Sequence, residues 1–243
     1  MLDGIKRWLG GGATATDAPW GEVVPWAESH QYRHRAVPER GFVVDGRLGT
    51  TAWRLEWGPA QRPYIGGQEL RIRSEMGLSP DLQAVLLSRQ LHEQLERTVY
   101  EQSVEGTRTR IDNQTPPEMR WIVMFERLDD GDMAGLGKRW VAAGSQRGWL
   151  RQWLEGALAT SLQSLQVEPG VPVVLMIGRG RLMLRTALDE PDVPRLQVWL
   201  RLFESAMREA RRVANEHAVA PSTGLHSTVW GQSALPGDEH RGR

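Results

Sequence analysis

The chain has 243 residues, no cysteine, and 30 basic side chains balanced by 30 acidic ones. Zero formal charge excludes binding to nucleic acid by bulk electrostatics, and the missing cysteine removes disulfides, thiolate nucleophiles, iron-sulfur clusters and the usual structural zinc sites. Two oddities remain: all the basic residues but Lys6 and Lys138 are Arg, and 11 of the aromatics are Trp.

The first nine residues place Leu2, Ile5, Trp8 and Leu9 on one face of a short amphipathic helix, ended by Gly10, Gly11 and Gly12. Residues 1–18 read as a flexible segment carrying that helix, and Trp8 beside Lys6 and Arg7 offers weak peripheral contact with a membrane. Lys6 and Arg7 break the apolar run that a secretory leader needs, which points to a cytoplasmic protein. No stretch approaches the ~18 apolar residues of a transmembrane segment; the strongest is Val171 to Ile177. At the other end, residues 220–243 read as a disordered tail, in which Leu225, Val229 and Trp230 stand out.

The globular part spans 19–219, with possible halves at 19–112 and 113–219. Tyr32 to Val37, Gly41 to Asp45, Thr51 to Trp57 and Glu69 to Met76 are β-rich runs separated by turn signals, the pattern of an antiparallel meander. Within it Trp53, Leu55 and Trp57 share one face and Arg54 and Glu56 the other. Ser79-Pro80-Asp81 has the form of a helix start, predicting a helix to about Val104 that buries Leu82, Val85, Leu86, Leu91, Leu95 and Val99.

Gly106 to Pro117 is polar and marks the boundary between halves. Beyond it, Met119 to Phe125 and Val171 to Ile177 are nearly continuous apolar runs, predicted as central strands. The amphipathic stretch Trp149 to Leu165 between them completes a β-α-β unit with parallel strands. Gly178-Arg179-Gly180 then turns the chain into Arg181 to Leu188, an antiparallel partner. A last helix follows from Asp192, with Leu196, Trp199, Leu200, Phe203, Met207 and Ala210 inward and Arg201, Glu204, Arg208, Glu209, Arg211 and Arg212 outward. The predicted class is α+β: a meander plus helix, then a mixed sheet (β-α-β-β-α), with helices packed on the sheets. Leu70 to Ser74 and Leu182 to Thr186, each before a Pro-Asp pair, also hint at a duplicated strand-turn-helix unit.

The chemistry on offer is sparse, and no cofactor is indicated. His30 and His34 lack a fixed third ligand, and His92-Glu93 carries Glu96 where a zinc protease has its second His. Glu126, Asp129, Asp130 and Asp132 cluster after a predicted strand, which makes them the candidates for a metal and for a metal-assisted hydrolase or phosphoryl-transfer enzyme. Their spacing is not that of a calcium loop. No nucleophile elbow occurs, and Gly178 to Gly180 leads to a strand rather than a helix, so it forms a hairpin tip whose Arg179 and Arg181 are placed to contact an anion. The expected function is therefore a non-catalytic binding protein with a protein partner. Trp8, Trp20 and Trp230 are the interface candidates because they fall outside every core stripe.

Overall fold

The alternation that points Trp53, Leu55 and Trp57 one way holds in the computed structural model, which describes residues 20–38, 40–104 and 116–219. The strands are β1 (Arg33–Val37), β2 (Gly41–Leu48), β3 (Thr51–Pro59), β4 (Gln68–Glu75), β5 (Ala84–Ser88), β6 (Trp140–Gly144), β7 (Val173–Gly178) and β8 (Arg181–Ala187). They form one sheet in the order β1-β2-β3-β4-β8-β7-β5-β6, antiparallel at every pairing. The helices are α1 (Val23–Ser29), α2 (Arg89–Val104), α3 (Pro117–Met124), α4 (Arg147–Trp153), α5 (Gly156–Ser164) and α6 (Val193–Val219). The fold is α+β.

The sheet's inner face buries Phe42, Val44, Leu55, Leu70, Ile72, Leu182 and Leu184 against α1, α4, α5 and α6. Its outer face is divided. Over β5 to β7 it is apolar, and Val85, Leu87, Val174 and Met176 pack with Leu91 and Leu95 of α2 and Met119 of α3. Over β2 to β4 it carries cross-strand ion pairs: Arg54 with Asp45 at 2.6 Å, and Arg73 and Arg71 with Glu56 at 2.9 and 3.4 Å.

Several sequence expectations change. Met119 to Phe125 is not a strand but mostly the helix α3, started by Pro117 at its first turn. An apolar run of this length satisfies either reading, and the expected parallel crossover disappears with the strand, so the sheet is not mixed. Ser79 does not cap a helix; its hydroxyl accepts from the Asp81 amide at 3.3 Å in a turn, and the chain enters β5. Ala84 and Leu86 face the inner core and Val85 and Leu87 the outer one, so covering on both faces produced a spacing that also reads as helical. Because a strand follows β4, whereas α6 follows β8, the suggested duplication of a strand-turn-helix unit does not hold. β5 also inserts between β7 and β6, so the polar stretch 106–117 does not divide the sheet.

The stretch expected as one helix from Trp149 to Leu165 is two, broken at Gly156, whose φ of +60 favours glycine. Glu209 of α6 fills the break. Its Oε1 accepts from the Ala157 amide at 3.3 Å, and Arg212 donates to its Oε2 at 2.6 Å, so this residue is buried rather than outward as the period suggested. The start of α6 follows expectation: Asp192 Oδ1 accepts from the Arg195 amide at 2.8 Å.

β4 and β8 join the meander to the rest of the sheet, and at that seam Glu69 (0% exposed) meets Arg185 (5% exposed). The other carboxylate oxygen accepts from Arg71 at 3.1 Å and from the Gln61 amide at 2.7 Å. Breaking one half of such a pair leaves a buried charge, which costs about 3–5 kcal/mol. Arg185→Met is expected to lower unfolding stability by about that amount in urea titrations, and the double change Arg185→Met with Glu69→Leu to recover much of it.

Candidate interface groove

α2 and α3 lie side by side on the outer face, both against β5 and β6. Two devices hold α3 in place. The Trp121 ring lies over Gly178 of β7, where a Cβ would come within 2.5 Å of it, so this glycine serves as a seat for an indole. Glu118, with no exposed surface, accepts from Arg62 at 2.6 Å and from the Tyr64 hydroxyl, tying the first turn of α3 to the loop after β3. Burial, then the Glu118 charge, pushes the Tyr64 phenol far up, so it stays a donor.

Between the two helices runs a groove of about 650 Å³, lined by Leu95, Tyr100, Met119, Ile122, Val123 and Phe125. Tyr100, Val123 and neighbouring Met124 are 69, 56 and 65% exposed, and with Val198 they make up the exposed large hydrophobics among the described residues. Three of four in one place is a patch rather than scatter. Glu96, Glu126 and Arg127 form its polar rim. Behind the rim His92 is buried, with Nδ1 3.4 Å from Glu96 and Nε2 3.3 Å from Arg127, which itself pairs with Glu96 at 2.9 Å.

Apart from Glu126 on the groove rim, the residues singled out by sequence are placed elsewhere. Glu126, Asp129 and Asp132 surround the guanidinium of Arg147 at 3.4, 2.6 and 2.7 Å, and Asp130 pairs with Arg89 at 3.3 Å. A fixed organic cation thus stands where the loop would hold a metal, and those hydrogen bonds raise the Arg147 pKa. No group of three metal-ligating side chains occurs among the described residues. Arg179 is exposed at the β7–β8 hairpin tip with φ of +54, while Arg181 is not free for an anion, because Glu75 across the strand pair accepts from its Nε at 2.6 Å. Trp20 is not a free interface residue either. It packs against the inner core with ring centroids 5.2 Å from Trp57 and 6.0 Å from Phe42, a role hidden from sequence because it joins the core from outside any periodic element. Trp8, Trp230, the helix expected in the first nine residues and the segment from residue 220 on lie outside the described residues. No helix among the described residues is long and apolar enough to cross a membrane.

No family model matches the chain, and neither does any curated protein sequence. Among solved structures, the crystal structure of the mycobacterial trehalose monomycolate transport factor A, TtfA, is similar over 77% of this chain and 91% of that one, with a TM-score of 0.45 and 11% sequence identity.

Burial lowers the pKa of His92; Glu96 opposes the shift, while Arg127 and Arg89 add to it. Burial lowers that of His34 in the same way against Glu28. The unfolded chain therefore binds protons that the folded chain resists, so stability is full above the ordinary His pKa of 6.5 and is lost as pH falls below it. Urea midpoints are expected to fall from about pH 7.5 to about pH 5.5, with a shallower slope in His92→Gln.

Proposed function

We propose that this chain is a non-catalytic binding protein that takes an amphipathic helix of a protein partner into the groove between α2 and α3. The observation that carries this reading is the convergence of exposed Tyr100 and Val123 on one groove between two helices, with exposed Met124 next in the chain to Val123. An apolar groove between two helices suits an incoming helix presenting residues at i, i+3, i+4 and i+7. Charge sets the rest of its character: Arg127 is already engaged by Glu96, whereas Glu126 is 82% exposed and its ion-pair partner among the described residues, Arg147, stands off at 3.4 Å, so the rim favours a basic flank on the incoming helix. The acidic loop has no metal role in this reading, since the Arg147 guanidinium occupies the space between its carboxylates.

The test is fluorescence anisotropy with a synthetic amphipathic helix carrying a Leu stripe and a Lys flank. The full chain is expected to bind it, a Glu-flanked version to bind more weakly, and Val123→Asp to weaken binding by about tenfold or more with an unchanged melting temperature. No binding, or equal binding by Val123→Asp, would overturn the proposal. Tighter binding after removal of residues 1–12 would instead make the chain's own N-terminal segment the occupant, and a monomer–dimer equilibrium abolished by Val123→Asp would make it a second copy.

A further inference from the structure

β1 stops short of its neighbours. Its ladder with β2 ends at the Arg33–Asp45 pair, while β2 and β3 remain paired out to Leu48 and Thr51. The β2–β3 hairpin therefore overhangs, and the turn from α1 into β1 fills only part of the space beside it. What remains is a cleft of about 540 Å³. That falls within the roughly 300–1,000 Å³ of small-molecule sites.

One wall is aromatic. His30 stacks on Tyr32 with ring centroids 5.4 Å apart and planes 28° apart, and Tyr32 stands edge-on to the buried Trp53 at 4.8 Å. The array is anchored in the core, because Gly46 of the hairpin leaves the room that the Trp53 ring takes; a Cβ there would come within 2.2 Å of it. Gln31 holds a left-handed backbone, φ +59, between the two stacked residues. A rigid aromatic wall at a cleft mouth favours a planar group.

The other wall is basic. Arg33, Arg47 and Arg54 line the cleft, and Asp45 is the carboxylate among the lining residues. Arg54 donates to both oxygens of Asp45, at 2.6 and 3.2 Å, which neutralises that pair. Arg47 donates to the Thr50 carbonyl at 3.0 Å, a neutral partner, and Arg33 has no carboxylate partner among the described residues. Two guanidinium groups with uncompensated charge thus flank an aromatic wall, in a chain whose formal charge is zero.

We propose that this cleft binds an aromatic ring bearing a phosphate or carboxylate, with the ring against His30 and Tyr32 and the anion on Arg33 and Arg47. Guanidinium is the side chain that matches both oxyanions bidentately, and an aromatic acid satisfies both walls at once. β1 is one edge of the sheet and the α2–α3 groove lies against β5 and β6 at the other, so the two sites are independent.

Isothermal titration of the full chain at low salt with adenosine monophosphate, 4-hydroxybenzoate, adenosine and inorganic phosphate tests this. Adenosine monophosphate or 4-hydroxybenzoate is expected to bind saturably, about tenfold or more tighter than adenosine or phosphate, and whichever is tighter separates a nucleotide from an aryl carboxylate. Arg33→Ala with Arg47→Ala is expected to weaken that binding by about tenfold or more, and Ala52→Glu, which adds a carboxylate at an exposed lining position, to do the same without changing the melting temperature. Absence of binding by both ring-bearing acids up to about 5 mM, phosphate binding as tightly as they do, or variants that bind unchanged would each overturn it.

Discussion

The seam between β4 and β8 is the constraint on which the rest of the structure depends. The four strands on one side of it and the four on the other become one sheet only because these two pair along their length, and at that seam the outer face changes from charged to apolar. Glu69 and Arg185 occupy the change. They meet on the buried outer face, where each offsets the cost of taking the other's charge out of water, and Arg71 and the Gln61 amide take up the remaining carboxylate oxygen. A buried pair is weak evidence for stability but strong evidence for register, since a one-residue slip would point Glu69 into the inner core and leave Arg185 without it.

From that seam outward the two territories behave differently. Over β5 to β7 the apolar surface needs a cover, and α2 and α3 supply it, but α3 is amphipathic in neither direction. Its run of Trp121, Ile122, Val123 and Met124 points apolar side chains both at the sheet and away from it. The helix that completes the core thereby creates the groove. Over β2 to β4 the cross-strand pairs solvate the sheet, and the ladder of charges ends at the overhanging hairpin, where carboxylates run out before guanidinium groups do.

Arginine pairing also accounts for much that a list of acids would suggest as chemistry. Arg147 sits at the centre of the loop from Glu126 to Asp132, and Glu209 caps α5 and holds Arg212 instead of facing solvent. With nearly all basic residues Arg, a planar donor fork is available to bridge several acids at each such point, which a Lys would do less well.

Local pattern in the sequence was enough for the α+β class, the meander of β1 to β4, the β7–β8 hairpin, the Asp192 cap and the buried stripe of α6, because each follows from alternation, turn residues or a 3.6-residue period acting over short distances. It could not separate a doubly covered strand from a helix at Ala84 to Leu87, nor an apolar helix from a strand at Met119 to Phe125. Both choices depend on what lies on each side of the segment. Tertiary structure alone decided that β5 enters between β7 and β6, that Gly178 is the seat of Trp121, that Trp20 belongs to the core, and that Arg147 occupies the acidic loop. In each case the deciding partner sits on a separate element, beyond the reach of local pattern, and only the packed fold brings the two together.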